Sequence, residues 1–169
     1  MEWRYQPGPG RQWSTWGQHS RLRYQREDYR INDGDQTLLG ASYVHSLGGP
    51  RQGVLFASLF GGQENALQDR ADGDKNMLGM RISGQFSPWA NTEAWATLGV
   101  QQARYQQDNF LFATRRDDKQ FDVGIGLIKR FGAGWSLRPS ISHIRNRANI
   151  AINDYSRTDY SLTVQRDFR

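Results

Sequence analysis

The last sixteen residues restrict the fold more than any other part of this chain. From Asp154 the sequence reads Asp-Tyr-Ser-Arg-Thr-Asp-Tyr-Ser-Leu-Thr-Val-Gln-Arg-Asp-Phe-Arg. Tyr160, Leu162, Val164 and Phe168 fall on one face at period two. Asp159, Ser161, Thr163, Gln165 and Asp167 fall on the other. Side chains alternate across a strand, so this segment predicts a strand with one apolar and one strongly polar face. An outer-membrane strand needs this pattern, with lipid on one side, a wet lumen on the other and an aromatic residue at the interface.

The same alternation recurs upstream, separated by turn chemistry. Strands are expected at Glu2 to Gln6, Trp13 to Tyr29, Gln36 to Leu47, Gly53 to Gly62, Leu78 to Phe86, Thr92 to Gln106, Phe121 to Phe131, Trp135 to Ser142 and from Asp154 onward. In the seventh, Phe121, Val123, Ile125, Leu127 and Phe131 oppose Asp122, Gly124, Gly126 and Arg130. Evenly apolar composition leaves the faces of the fourth strand unassigned. The fold class is therefore all-β, an antiparallel up-and-down meander of about eight or nine strands. It is expected to form a transmembrane β-barrel, or the C-terminal part of one, as a single domain over residues 1–169.

The connections alternate in character. Those at 7–10, 48–50, 87–91 and 132–134 are short and rich in Gly and Pro. Those at 30–35, 62–76, 107–118 and 146–154 are polar and mostly longer. Barrels of the outer membrane have short periplasmic turns and long extracellular loops. Counted back from Phe168, every short turn lands on the periplasmic side. Trp13, Trp16, Phe86, Trp89, Phe131, Trp135 and Phe168 cluster near those turns, as an interfacial girdle would.

Composition agrees. Hydrophobic residues make up only 37%, too few for a large soluble core, yet there are six Trp, seven Tyr and eight Phe, too many for a disordered chain. There is no cysteine, which excludes disulfides and Cys-based zinc sites. The net charge of +5 is spread along the chain and gives no focused nucleic-acid footprint, so no nucleic-acid partner is expected. The start, Met1-Glu-Trp-Arg-Tyr-Gln, has no apolar signal region. An exported barrel would then be represented by a mature region or C-terminal fragment.

Candidate sites are few. His19, His45 and His143 lie far apart and form no catalytic constellation, so neither an enzyme nor a cofactor is expected. Asp69, Asp72, Asp74 and Asn76 offer oxygens, but Ser83 stands where an EF-hand would close with Glu, and a solvated loop is expected. The lipid-facing set is Phe121, Val123, Ile125, Leu127, Phe131, Tyr160, Leu162, Val164 and Phe168. The lumen-facing set is Arg81, Asp122, Arg130, Arg138, Asp159 and Gln165, with Arg21 and Arg23 on the same polar side. Cross-strand pairing among Arg138, Asp122 and Asp159 is expected.

The run Phe121-Asp-Val-Gly-Ile-Gly-Leu-Ile-Lys-Arg-Phe131 is followed by Trp135-Ser-Leu-Arg-Pro-Ser-Ile-Ser. Then come Arg145-Asn-Arg-Ala-Asn-Ile150, Asp154-Tyr-Ser-Arg157 and the closing Gln165-Arg-Asp-Phe168. Residues 118 to 168 resemble the C-terminal barrel of the surface lipoprotein assembly modifier family. Members couple a periplasmic tetratricopeptide-repeat domain to an outer-membrane barrel. The resemblance implies a bacterial outer-membrane location and a role in delivering or assembling lipoproteins at the cell surface. Its implied partners are outer-membrane lipid, lipoprotein cargo and the barrel assembly machinery. The repeats are absent here and the strands are fewer than in that family, which fits a fragment. A generic structural, adhesion or pore-forming barrel is the alternative expectation.

Overall fold

The computed structural model describes residues 1–49, 52–68 and 73–168. These form nine strands: β1 (Glu2–Gly8), β2 (Arg11–Leu22), β3 (Gly34–Leu47), β4 (Gly53–Ala66), β5 (Lys75–Trp89), β6 (Thr92–Asn109), β7 (Thr114–Arg130), β8 (Trp135–Ala148) and β9 (Tyr155–Arg166). All nine belong to one antiparallel sheet in sequence order, β1 to β9. The only helical pieces among the described residues are 3-10 turns at Glu27–Asn32, Gly132–Gly134 and Ala151–Asn153. The up-and-down meander expected from the alternation is the fold.

Register assigns the faces, because directly opposed residues of paired strands project to the same side. One row runs Trp13, Tyr43, Ala57, Ile82, Leu98, Val123, His143, Thr158. It belongs to the apolar face. The next row along includes Ser58, Arg81, Gly99, Asp122, Ile144 and Arg157 on the polar face. Large apolar side chains of the first face stay exposed along the whole sheet: Leu39, Leu59, Leu78, Leu98, Ile125 and Leu162 are examples. Buried side chains gather on the other face, among them Ser14, Ser42, Asp118, Ser136 and Asn146.

The polar face is also the crowded one. A Cβ added to Gly40 would meet Trp16 at 2.4 Å, one on Gly79 would meet Phe60 at 2.4 Å, and one on Gly126 would meet Trp95 at 2.6 Å. Crowding on one side and openness on the other describe a sheet curled toward its polar face. Only Met77 and Ile150 are buried hydrophobic residues among those described. The surface of 11949 Å² compares with about 8,500 Å² for a compact soluble chain of this mass. Among the described residues the sheet has no conventional core.

Several boundaries differ from the sequence expectation. β2 stops at Leu22, not Tyr29, because the charged run that follows folds into the 3-10 turn at Glu27–Asn32. Asp33 Oδ1 accepts from the Tyr24 amide at 2.8 Å, and Arg23 pairs with Asp35 at 2.6 Å, closing that loop. The loop expected at 107–118 is mostly strand, since β6 and β7 extend to a connection at 110–113. Both ends of the loop expected at 62–76 are likewise strand, since β4 runs on to Ala66 and β5 begins at Lys75. The tight connections at 9–10 and 90–91 use left-handed backbone at Gly10 (φ 71) and Asn91 (φ 56), residues suited to it. Of the connection at 48–50, Pro50 lies outside the described residues.

Candidate functional site

The polar face carries most of the organised chemistry. Arg81 donates to Asp122 at 3.2 Å across the intervening strand β6. That reach needs Gly99 between them, since a Cβ there would stand 2.4 Å from the Asp122 carboxylate. Nearer the short turns Arg130 pairs with Glu93, which also accepts from Gln85 at 2.7 Å. Nearer the long loops Lys75 pairs with Glu64 at 3.2 Å, and Arg116 pairs with the buried Asp118. Ser83 and Thr97 share a hydrogen bond at 2.9 Å. Aromatics interrupt this polarity: Trp16, Phe60 and Trp95 each fill space left by glycine on an adjacent strand.

Every residue expected to face the lumen within the strands, Arg81, Asp122, Arg130, Arg138, Asp159 and Gln165, shares this face. Phe121, Val123, Ile125, Leu127, Tyr160, Leu162 and Val164 share the opposite one. Phe131 and Phe168 lie beyond the strand ends and are exposed. Three expectations are corrected. Arg21 projects from the apolar face, at its loop end, opposite Asp35. Trp16 sits on the polar face rather than in a girdle. Arg138 pairs with neither acid: Asp122 takes Arg81, Asp159 takes Arg157 at 2.9 Å, and Arg138 Nε is buried without a partner. Pairing followed reach along and across strands, not simple adjacency.

The double-mutant cycle of Arg81→Ala and Asp122→Ala should give a coupling of about 0.2–1 kcal/mol, because the Arg81 side chain is 55% exposed. Urea titration of refolded protein measures it.

The loop expected over 146–154 begins later, because β8 runs on to Ala148, and residues 145–149 hold the β8–β9 connection in place. Asn146 donates to Asn153 O at 2.7 Å, and Arg145 pairs with Asp154 at 2.6 Å. Asn149 spans to β7, accepting from the Asp117 amide at 2.8 Å and donating to Arg115 O at 2.6 Å. Ile150 is sealed beneath, 2% exposed. Asn149→Ala should therefore cost about 1 kcal/mol. It should also speed amide exchange across 149–154, read by hydrogen–deuterium exchange.

The histidines stay apart. His19 meets Thr37 at 3.0 Å, His143 meets Thr158 at 2.8 Å, and His45 stacks on Tyr43. Among the described residues no cluster of His, Asp and Glu is arranged to hold a metal. Asp69 and Asp72 lie outside the described residues. Asp74 braces its own loop, accepting from the Ala66 amide at 2.7 Å.

On the apolar face near the short turns, Trp13 packs on Tyr43 with ring centroids 4.5 Å apart. Phe86, Trp89, Trp135 and Phe168 are exposed at the same end. Arg166 covers both Trp135, at 5.3 Å, and Phe168, at 4.8 Å. The sequence pattern singles out these aromatics but misplaces Trp16 among them and leaves Phe60 and Trp95 unassigned, because the glycines that make room for these three lie on neighbouring strands. Comparison with protein-family models, with characterised proteins and with solved structures returns no match.

Proposed function

We propose that this chain forms part of the wall of a bacterial outer-membrane β-barrel that serves delivery or assembly of lipoproteins at the cell surface. The observation that carries the membrane part is the apolar face, exposed along the sheet while only Met77 and Ile150 are buried hydrophobics among the described residues. Soluble proteins rarely expose apolar patches beyond a few hundred Å². Strands β2 to β9 run from 12 to 18 residues, long enough to cross the hydrocarbon layer. The lipoprotein part is supported by the motifs at 118–168. The proposed role is non-enzymatic, with lipid around the apolar face, lipoprotein as cargo and the assembly machinery as the agent of insertion.

Strand parity adds a constraint. β1 and β9 are not paired with each other. Each strand of a meander reverses the last, so β1 and β9 run in the same direction. Antiparallel closure then requires an odd number of further strands, whatever chain supplies them. Lipid does not tolerate open edges.

A second reading, contact with the cell's surroundings, is favoured by the tip of the β6–β7 hairpin. There Phe110, Leu111 and Phe112 are 82%, 67% and 44% exposed. Surface labelling of lipoproteins separates the two. Deleting the encoding gene should lower surface lipoprotein without lowering its total amount, and re-expression should restore it. Unchanged surface lipoprotein would contradict the delivery role and leave the barrel with the second reading.

A further inference from the structure

We propose that the apolar face carries, at its long-loop end, a binding site for a phosphorylated multi-acyl lipid. The inference rests on the membrane reading above and deepens it. An apolar groove of about 590 Å³ opens there, lined by Leu59, Leu78, Met80, Val100 and Phe121. All five share the apolar face, in two neighbouring rows across β4 to β7. At the loop end the groove is bordered by Lys119, Arg145 and Arg147.

The placement of those cations points to an anion. Lys119 and Arg147 are direct cross-strand partners, and Phe121 opposes Arg145 one step further down. Like charges directly opposite each other destabilise a sheet. Arg145 is balanced by Asp154 at 2.6 Å. Asp117, on the same face, is already engaged by Gln102 at 2.9 Å and Arg104 at 3.5 Å. Lys119 and Arg147 have no carboxylate partner among the described residues. Simple snorkelling toward headgroups would explain cations at this level, but not two of them in direct opposition. A phosphate seated between them turns that repulsion into two charge-assisted contacts. Acyl chains would then lie down the groove against Leu78, Met80 and Phe121. The groove and the two cations adjoin on the one face, so a ligand that engages both is amphiphilic.

The test uses the closed barrel, this chain assembled with the strands that complete it, folded into phosphatidylcholine vesicles with and without bis-phosphorylated lipid A. The variant is Lys119→Gln/Arg147→Gln. Removing opposed like charges should leave folding in plain phosphatidylcholine intact. Native mass spectrometry should show lipid A retained by the parent and bound roughly ten- to thirtyfold more weakly by the variant, from about a three- to fivefold loss for each of the two cations removed. Dephosphorylated lipid A should bind as weakly to the parent as lipid A does to the variant. Equal retention by parent and variant, or equal binding of the dephosphorylated lipid, overturns the site while insertion into phosphatidylcholine keeps the membrane reading. Failure to insert into either vesicle overturns both.

Discussion

Lysine in place of Leu98 or Ile125 should cost about 2–4 kcal/mol of folding free energy in lipid vesicles, because both sit mid-strand on the face assigned to hydrocarbon. Leu98 lies between Ile82 and Val123 in the register, and Ile125 between Ala96 and Ile141. An ammonium at either position has no counter-charge in its own row. The comparison within one strand is Gln101→Lys, three residues along β6 on the polar face, opposite Gly79 and Gln120. It should cost well under 1 kcal/mol, since its head group meets polar neighbours. Gly124 does not serve as the polar-face comparison. A Cβ there would meet Thr97 at 3.1 Å and Trp95 at 3.3 Å, so a long side chain would be penalised by crowding, not polarity. Denaturant titration of the closed barrel in vesicles measures all three. Equal costs at Leu98 and Gln101 would mean that the two faces see one solvent.

Two adjacent glycines should respond in opposite ways to alanine. At Gly62 an added Cβ would stand 2.0 Å from the Thr37 carbonyl oxygen and 2.9 Å from Leu38 Cα. Both are backbone atoms of the partner strand, and they move only if β3 and β4 separate. Gly62→Ala should destabilise by about 1–3 kcal/mol, the usual range for overpacking. At Gly61 the nearest atom is Met77 O at 3.6 Å, ordinary contact. Gly61→Ala should be neutral or stabilising by up to about 0.5–1 kcal/mol, through the reduced freedom of the unfolded chain. Refolding yield and urea midpoints of the two variants test the contrast. A destabilisation of similar size at both would contradict the close approach of β3 and β4.

That pair shows where sequence reading ends. Nothing in Gly61-Gly62 distinguishes the residues until the neighbouring strand is in place. Strands β7 and β9 were legible because apolar and polar residues alternate in them almost without interruption. β4 was not, because Val54, Phe56 and Phe60 on the polar face interleave with Leu55, Ala57 and Leu59 on the other. Phe60 is tolerated there because Gly79 gives it room, a fact written on a different strand. Trp16 and Trp95 follow the same rule with Gly40 and Gly126. Arg21 misled for a related reason. Polar residues are expected on the polar face, yet at the loop end of β2 the other face also carries His19 and Arg21 beside Asp35. The pairing of Arg81 with Asp122 over Gly99 required register, since one whole strand separates them.

The proposed membrane role requires one face of this sheet to meet lipid and the other not to. Because the chain contains no cysteine, single cysteines carrying a spin label can be placed along residues 121–127 of β7 and 158–165 of β9 without background. Collision with oxygen, which concentrates in hydrocarbon, and with a water-soluble nickel chelate reports the solvent of each site in vesicles. Oxygen accessibility should peak at 121, 123, 125 and 127 and at 160, 162 and 164. It should fall at 122, 159, 161, 163 and 165, in a strict period of two. Nickel accessibility that stays high and level at every position would place both faces in water and contradict that role.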